Sequence, residues 1–242
     1  MIKNAIKTLL YLIYPKRCNL CGEVIRIEET RCSECASAQR ISGEICEKCG
    51  REKETCTCKK DKFSPKYKAF CAPYYYSGSI QRAVRRFKNY SFTELAPEMS
   101  REIAECVKSR FDGIEFDCVS SVPLTKKKLR SRGYNQSEIL AKETASLLGV
   151  EYAPLLIKTL DTQPQRYSSG SVRRSNLYGA FELAENVNPE GKTVLLIDDV
   201  KTTGSTLNEC AAVLRGYKAN AVYCAAFTVT ENKRQKMIDE KN

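Results

Sequence analysis

Histidine is absent from the 242 residues. That excludes every mechanism built on an imidazole base, the Ser–His–Asp and Cys–His arrangements first among them. It also excludes mixed Cys/His zinc ligation, so any zinc site must be all-thiolate or use carboxylates. Long apolar runs are missing as well. The stretch 9–14 is short and stops at Pro15, so neither a secretory signal nor insertion into a membrane is expected. Acidic residues are missing from one further place, residues 124–134, where five cations stand together.

Cysteine, by contrast, is abundant. The chain has 13, and eight of them lie between Cys18 and Cys58. With no export signal expected, the protein reads as cytoplasmic, where thiols stay reduced and clustered cysteines more often hold metal than form disulfides. Cys18-x-x-Cys21 and Cys32-x-x-Cys35 make a four-thiolate set with zinc spacing. An iron–sulfur cluster is the rival, disfavoured by spacing and charge. Cys46-x-x-Cys49 and Cys56-x-Cys58 are a candidate second set, and ligands could also mix between the two. Closed all-thiolate sites are structural far more often than catalytic. Cys71, Cys106, Cys118, Cys210 and Cys224 fall in apolar segments and read as ordinary core residues.

Composition divides the chain. Residues 1–17 have helical apolar spacing. Residues 18–58 carry many charges and few large apolar side chains, so they need metal staples to fold. Residues 59–68 read as a linker, and we place the boundary between a module at 1–62 and a domain at 63–242. Beyond it, apolar strands are expected at 69–76, 118–122, 194–197 and 221–229, and helices at 79–86, 94–110, 137–148 and 206–217. Strands alternating with helices predict an α/β fold with a mostly parallel sheet. The net charge of +11 favours anionic partners.

The most informative segment follows the wholly apolar run 194–197. It reads Asp198-Asp199-Val200-Lys201-Thr202-Thr203-Gly204-Ser205-Thr206 and opens a helix. The carboxylates sit at the carboxyl edge of the sheet, where open α/β sheets bind ligands. The turn offers free N–H groups, hydroxyls and a helix N-terminus to a phosphate. Carboxylates beside a phosphate site make sense if they accept hydrogen bonds from sugar hydroxyls or help to hold Mg²⁺. No Gly-x-x-x-x-Gly-Lys-Ser/Thr pattern is present, which excludes a Walker A loop. A receiver domain also has paired Asp after an apolar strand, but there the pair opens the domain, and Asp198 stands late in this chain. The bland alternative is a strand, a capping Asp and a helix with no ligand.

The cations at Lys126, Lys127, Lys128, Arg130 and Arg132 repel one another without compensation, and a solvated charged loop is the bland reading. Pyrophosphate and a nucleic-acid backbone are both candidate partners. Arg82, Arg85, Arg86 and Lys88 share or follow a short helix near Tyr74, Tyr75, Tyr76 and Tyr90, a mixture suited to single-stranded DNA.

Residues 194–206 resemble the phosphoribosyl-pyrophosphate loop of type I phosphoribosyltransferases. The order Val122-Pro123-Leu124, basic run, Arg132-Gly133-Tyr134-Asn135-Gln136, then Arg173, Asn176 and Gly179-Ala180-Phe181, following the paired cysteines, resembles the ComF family of competence proteins, specifically the ComFC type. The resemblance implies a type I phosphoribosyltransferase fold preceded by a zinc-ribbon-like module. It implies Asp198 and Asp199 on the ribose hydroxyls and Thr202, Thr203, Gly204, Ser205 and Thr206 on the 5-phosphate. Lys88, Lys126, Arg130 and Arg132 would meet the rest of the phosphoribosyl pyrophosphate with its Mg²⁺. Arg173 would be a catalytic residue on a loop at 162–176 that covers the site. Zinc would be structural. The expected role is a competence accessory protein that binds phosphoribosyl pyrophosphate and single-stranded DNA, with a competence helicase or recombination mediator as a possible protein partner. The rival is an active transferase releasing pyrophosphate. Thr125 departs from the family, which commonly carries His after Val-Pro-Leu, and so removes a side chain that titrates near neutrality.

Overall fold

The computed structural model describes residues 11, 13–58, 64–89, 92–159 and 179–231. The Cys-rich part contributes one short helix, α1 (Ser33–Ala36). After it come β1 (Phe70–Cys71), β2 (Tyr74–Tyr75), α2 (Gly78–Asn89), α3 (Ala96–Arg110) and β3 (Cys118–Ser121). Then follow α4 (Lys126–Arg132), α5 (Gln136–Leu148), β4 (Leu156–Lys158), β5 (Phe181–Leu183), β6 (Thr193–Lys201), α6 (Ser205–Gly216) and β7 (Ala221–Val229). The expected boundary after residue 62, most of the expected N-terminal helix, Tyr90 and the expected covering loop with Arg173 lie outside the described residues.

The main sheet runs β1-β7-β6-β3, with β2 also on β7, and all its pairs are parallel. The reason is visible in β6. Val194, Leu195, Leu196 and Ile197 are each fully buried, as a parallel strand covered on both faces requires. Leu195 and Ile197 point toward Met99, Ile103 and Leu140 of α3 and α5. Val194 and Leu196 point the other way, toward Leu207, Cys210 and Leu214 of α6. Period-two alternation thus feeds two cores from one apolar run.

Several elements differ from expectation. The strand expected at 69–76 is two short strands, because Pro73 lacks an N–H to continue the ladder. β6 does not stop before the carboxylates but runs on through Lys201, paired with Val229 of β7. The basic segment is a helix rather than a loop. Thr125 caps it, its Oγ1 accepting from the Lys128 N–H at 3.3 Å, and Gly133 closes it in the left-handed conformation at φ 82°. Finally, β4 and β5 form a small antiparallel sheet of their own.

Candidate phosphate site and zinc clusters

The site is built where β3 leaves β6. Pairing between them ends at Ser121 and Ile197, so the next residue of β6, Asp198, loses its neighbour on that side. The N-terminus of α5 fills part of the gap. Ser137 donates its hydroxyl to Asp198 Oδ1 at 2.8 Å, and the Asp199 N–H donates to the same oxygen at 2.9 Å. Burial, with the neighbouring Asp199 charge, pushes the Asp198 carboxyl up to about 7. Asp199 instead holds a cation, its Oδ2 lying 2.8 Å from Lys88 Nζ. Burial opposes the charge on Lys88, but Asp199 outweighs it and the ammonium pKa is raised. Ser137 carries no sequence signal for this role. It is the second residue of α5, which begins directly after the Asn135 cap, and only the tertiary fold brings it to Asp198.

Residues 202–206 turn from β6 into α6. Gly204 takes φ 78° at the cap position, a left-handed conformation that favours glycine. Thr203 and Ser205 share a hydroxyl hydrogen bond at 2.8 Å. Thr202 and Thr203 are exposed, Thr206 is half-buried, and Ser205 is buried. The turn therefore presents hydroxyls and amides to solvent beside the two carboxylates.

The expected cations are distributed rather than pooled. Arg132 donates from Nη1 to Gln136 Oε1 at 2.9 Å, and Gln136 Nε2 donates to the Lys88 backbone oxygen at 3.4 Å. Those two residues and Lys88 thus belong to the Asp199 side. Lys126, Lys127 and Arg130 line a different wall. With Pro123, Leu124 and residues 156–159 they enclose a groove of about 950 Å³.

The helix-face expectation for α2 needs correction. Arg82 pairs with Glu34, and Arg86 pairs with Glu23 at 2.8 Å while donating to the Cys21 carbonyl at 2.9 Å. These arginines hold the cysteine module and do not form an open cationic track. Tyr74 is buried against Phe227, and the Tyr75 hydroxyl accepts from the Glu52 N–H at 3.4 Å. Neither ring is offered to a base.

The eight clustered cysteines form two separate sets, Cys18/Cys21/Cys32/Cys35 and Cys46/Cys49/Cys56/Cys58, with all sulfurs of a set within 4.8 Å of one another. No ligand is exchanged between them. Cys21 and Cys32 sulfurs lie 3.6 Å apart, as do those of Cys49 and Cys56. Tetrahedral zinc with Zn–S of about 2.3 Å requires sulfurs about 3.8 Å apart, so both sets fit the ion. Without it the thiols compete for protons. Hydrogen bonding to Cys18 pushes Cys21 up to about 12, and the same contact holds Cys18 far down. Each set begins with the same local device, a Cys-x-x-Cys-Gly turn in which Gly22 or Gly50 donates to the first cysteine's carbonyl at 2.8 Å. The remaining cysteines behave as core: Cys71, Cys118, Cys210 and Cys224 are buried and Cys106 is half-buried.

Comparison with known proteins agrees with this division. A double zinc ribbon domain family matches residues 9–72, and a phosphoribosyl transferase domain family matches residues 135–242. The chain is 31% identical over 160 residues to the DNA utilization protein YhgH of Escherichia coli (strain K12), covering 64% of this chain and 70% of that one. The chain belongs to the ComF family. Within that family it is 39% identical over 101 residues to competence protein F of Haemophilus influenzae, covering 41% of this chain and 44% of the relative. Its identity to competence protein ComFC of Bacillus subtilis is 25% over 156 residues, covering 64% and 61%. This ComF-family chain is thus a type I phosphoribosyltransferase domain with a parallel sheet behind a double zinc ribbon, and the ribbon match and the thiol geometry together support structural zinc.

Proposed function

We propose that the pocket at the carboxyl end of β6 binds a phosphoribosyl ligand, phosphoribosyl pyrophosphate foremost. The supporting observation is the adjacency of Asp198 and Asp199 to an exposed hydroxyl-bearing turn that opens a helix at Gly204. The 5-phosphate would sit on residues 202–206 and the ribose diol on the two carboxylates. Lys88 and Arg132 stand on the side from which a diphosphate would approach Asp199. Among the described residues the carboxylates form no cage for a divalent ion, so Mg²⁺ would arrive with the diphosphate, whose charge it neutralises. Arg173 stays a candidate on the covering loop.

The relatives' names, competence and DNA utilization, support an accessory role in the uptake or use of DNA. Single-stranded DNA remains part of this reading, moved from α2 to the groove at α4 and β4, where Lys126, Lys127 and Arg130 adjoin the exposed Ile157. A competence helicase or recombination mediator is the protein partner such a role would call for. All 13 cysteines are free of disulfides, as the cytoplasm favours, and no helix among the described residues is long and apolar enough to cross a membrane.

Calorimetric titration with phosphoribosyl pyrophosphate and Mg²⁺ tests the pocket. Binding is expected for the native protein and at least about a hundredfold weaker binding for Asp198→Asn with Asp199→Asn, on the scale of lost charge-assisted hydrogen bonds. Unchanged affinity in the double variant sinks the assignment. One observation favours turnover as a second reading: the Asp198 carboxyl, pushed up to about 7, lies where a carboxylate can serve as general base. Pyrophosphate release in the presence of nucleobases or DNA would establish it.

A further inference from the structure

The lysine inside the phosphate loop is turned away from the proposed ligand. Lys201 stands three residues before Gly204, yet it is only 4% exposed. Its side chain runs beneath the loop: a Cβ placed on Gly204 would meet Lys201 Cε at 2.8 Å. Its Nζ lies 4.6 Å from the centre of the Phe70 ring and donates to the Cys49 carbonyl at 3.1 Å. That carbonyl belongs to the second cysteine cluster.

Two further ties run the same way. Arg51 Nε donates to the Thr230 carbonyl at 2.8 Å. Thr230 in turn donates its N–H to the Lys201 carbonyl at 3.0 Å and its hydroxyl to the Thr202 carbonyl at 3.4 Å. Tyr67, whose hydroxyl is 3.6 Å from that same Cβ position on Gly204, donates to the Lys48 carbonyl at 2.8 Å. Residues 48, 49 and 51 of one knuckle therefore reach the start of the phosphate turn and the underside of Gly204. A buried ammonium needs fixed acceptors, and here the acceptor is held by the fold of the Cys46-x-x-Cys49 turn.

We propose that Lys201 is a positioning residue that couples the second cysteine cluster to the phosphate loop, so that the metal-loaded knuckle holds residues 201–206 in their binding conformation. The proposal rests on the phosphate-site reading for its ligand arm, and its structural arm stands apart from it. The first cluster supplies a matched control, because Arg86 makes the equivalent contact to the Cys21 carbonyl far from this turn in the chain.

The experiment uses the full zinc-loaded protein and three variants: Lys201→Met, Cys56→Ser with Cys58→Ser, and Arg86→Met. Zinc content, backbone amide exchange and titration with ribose 5-phosphate are read on each. Lys201→Met is expected to keep both zinc ions and its melting temperature. Exchange at residues 201–208 and at Thr230 should be about tenfold faster, and ribose 5-phosphate binding about tenfold weaker, the scale of one hydrogen bond to a charged group. The double Cys→Ser variant should reproduce this with one zinc lost, and Arg86→Met should leave both loop readings unchanged. If exchange in the loop is untouched by Lys201→Met, or is accelerated equally by Arg86→Met, the coupling is overturned. Failure of the native protein to bind ribose 5-phosphate would sink the phosphate-site reading instead, while the exchange data still decide the coupling.

Discussion

The two zinc ribbons share a local design and differ in what they lean on. In each, a cation from the transferase domain caps the carbonyl of the second cysteine: Arg86 on Cys21 and Lys201 on Cys49. The first ribbon is sunk into the main core, with Cys18, Leu20, Cys21 and Ile25 packed among Ile80, Phe87 and Met99. Arg31 and Arg40 then bind Glu102 of α3 at 2.6 Å each, and its side chain is only 2% exposed. The second ribbon contributes little to that core and lies instead along β1 and the phosphate turn. The same metal-binding unit therefore has different tasks by position, one bearing on global stability and one on local geometry.

The largest expected effect tests that division. Cys18→Ser with Cys32→Ser should destabilise the whole protein, because structural zinc contributes on the order of 10 kcal/mol to a site of this kind; the melt would report it as loss of the cooperative transition. The corresponding change at Cys56 and Cys58 should leave a cooperative melt. Equal loss in both would erase the contrast.

Glu102→Gln comes next. It removes the buried charge that Arg31 and Arg40 share, while Arg31 keeps Glu98 and Arg40 keeps Glu105, so the cost should be about 1–3 kcal/mol. Zinc release to a chelator should accelerate from the first cluster and not from the second.

Asp198 gives a pH test. Its folded pKa, about 7, lies above the ordinary carboxylate value, so the native state holds the proton more tightly than the unfolded chain. Stability is fully favoured below about pH 4 and is lost as pH rises through 7. Asp198→Asn should therefore raise the melting temperature at pH 8 by more than at pH 5, by a few degrees. The opposite order would mean that Asp198 is ionised in the free protein.

Gly50 and Gly43 allow a finer comparison. Both have positive φ, 74° and 68°, but a Cβ on Gly50 would strike the Phe70 ring while one on Gly43 meets nothing within 4 Å. Gly43→Ala should cost about 1 kcal/mol, and Gly50→Ala visibly more in a denaturant titration. The smallest effect is expected for Arg82→Ala, whose pair with Glu34 is exposed on both sides and worth at most about 1 kcal/mol.

Much of this was legible in the chain itself. Four apolar residues in a row at 194–197 announced a strand covered on both faces. The carboxylate pair before Thr-Thr-Gly marked the candidate site, and the Cys-x-x-Cys spacings announced the two thiol sets. What escaped was whatever depends on a distant partner. Nothing in the sequence around Lys201 marks it as buried, because its acceptor, the Cys49 carbonyl, is about 150 residues away in sequence. Arg82 and Arg86 read as a nucleic-acid face for the same reason, their glutamates lying in the ribbon. The helix at Lys126–Arg132 was hidden because its own charges oppose it, and only the caps at Thr125 and Gly133 permit it. β4, with just three residues, is too short for any periodicity to declare itself.

One contact made by the second ribbon has a consequence for the protein's solution behaviour. β1 is the outermost strand of the sheet, and its Phe70 N–H points away from β7 to the Glu47 carbonyl at 2.8 Å. The ribbon thus acts as a cover over a raw sheet margin of the kind that recruits strands from other molecules. Loss of the second metal would leave that margin uncovered while the first ribbon still holds the core.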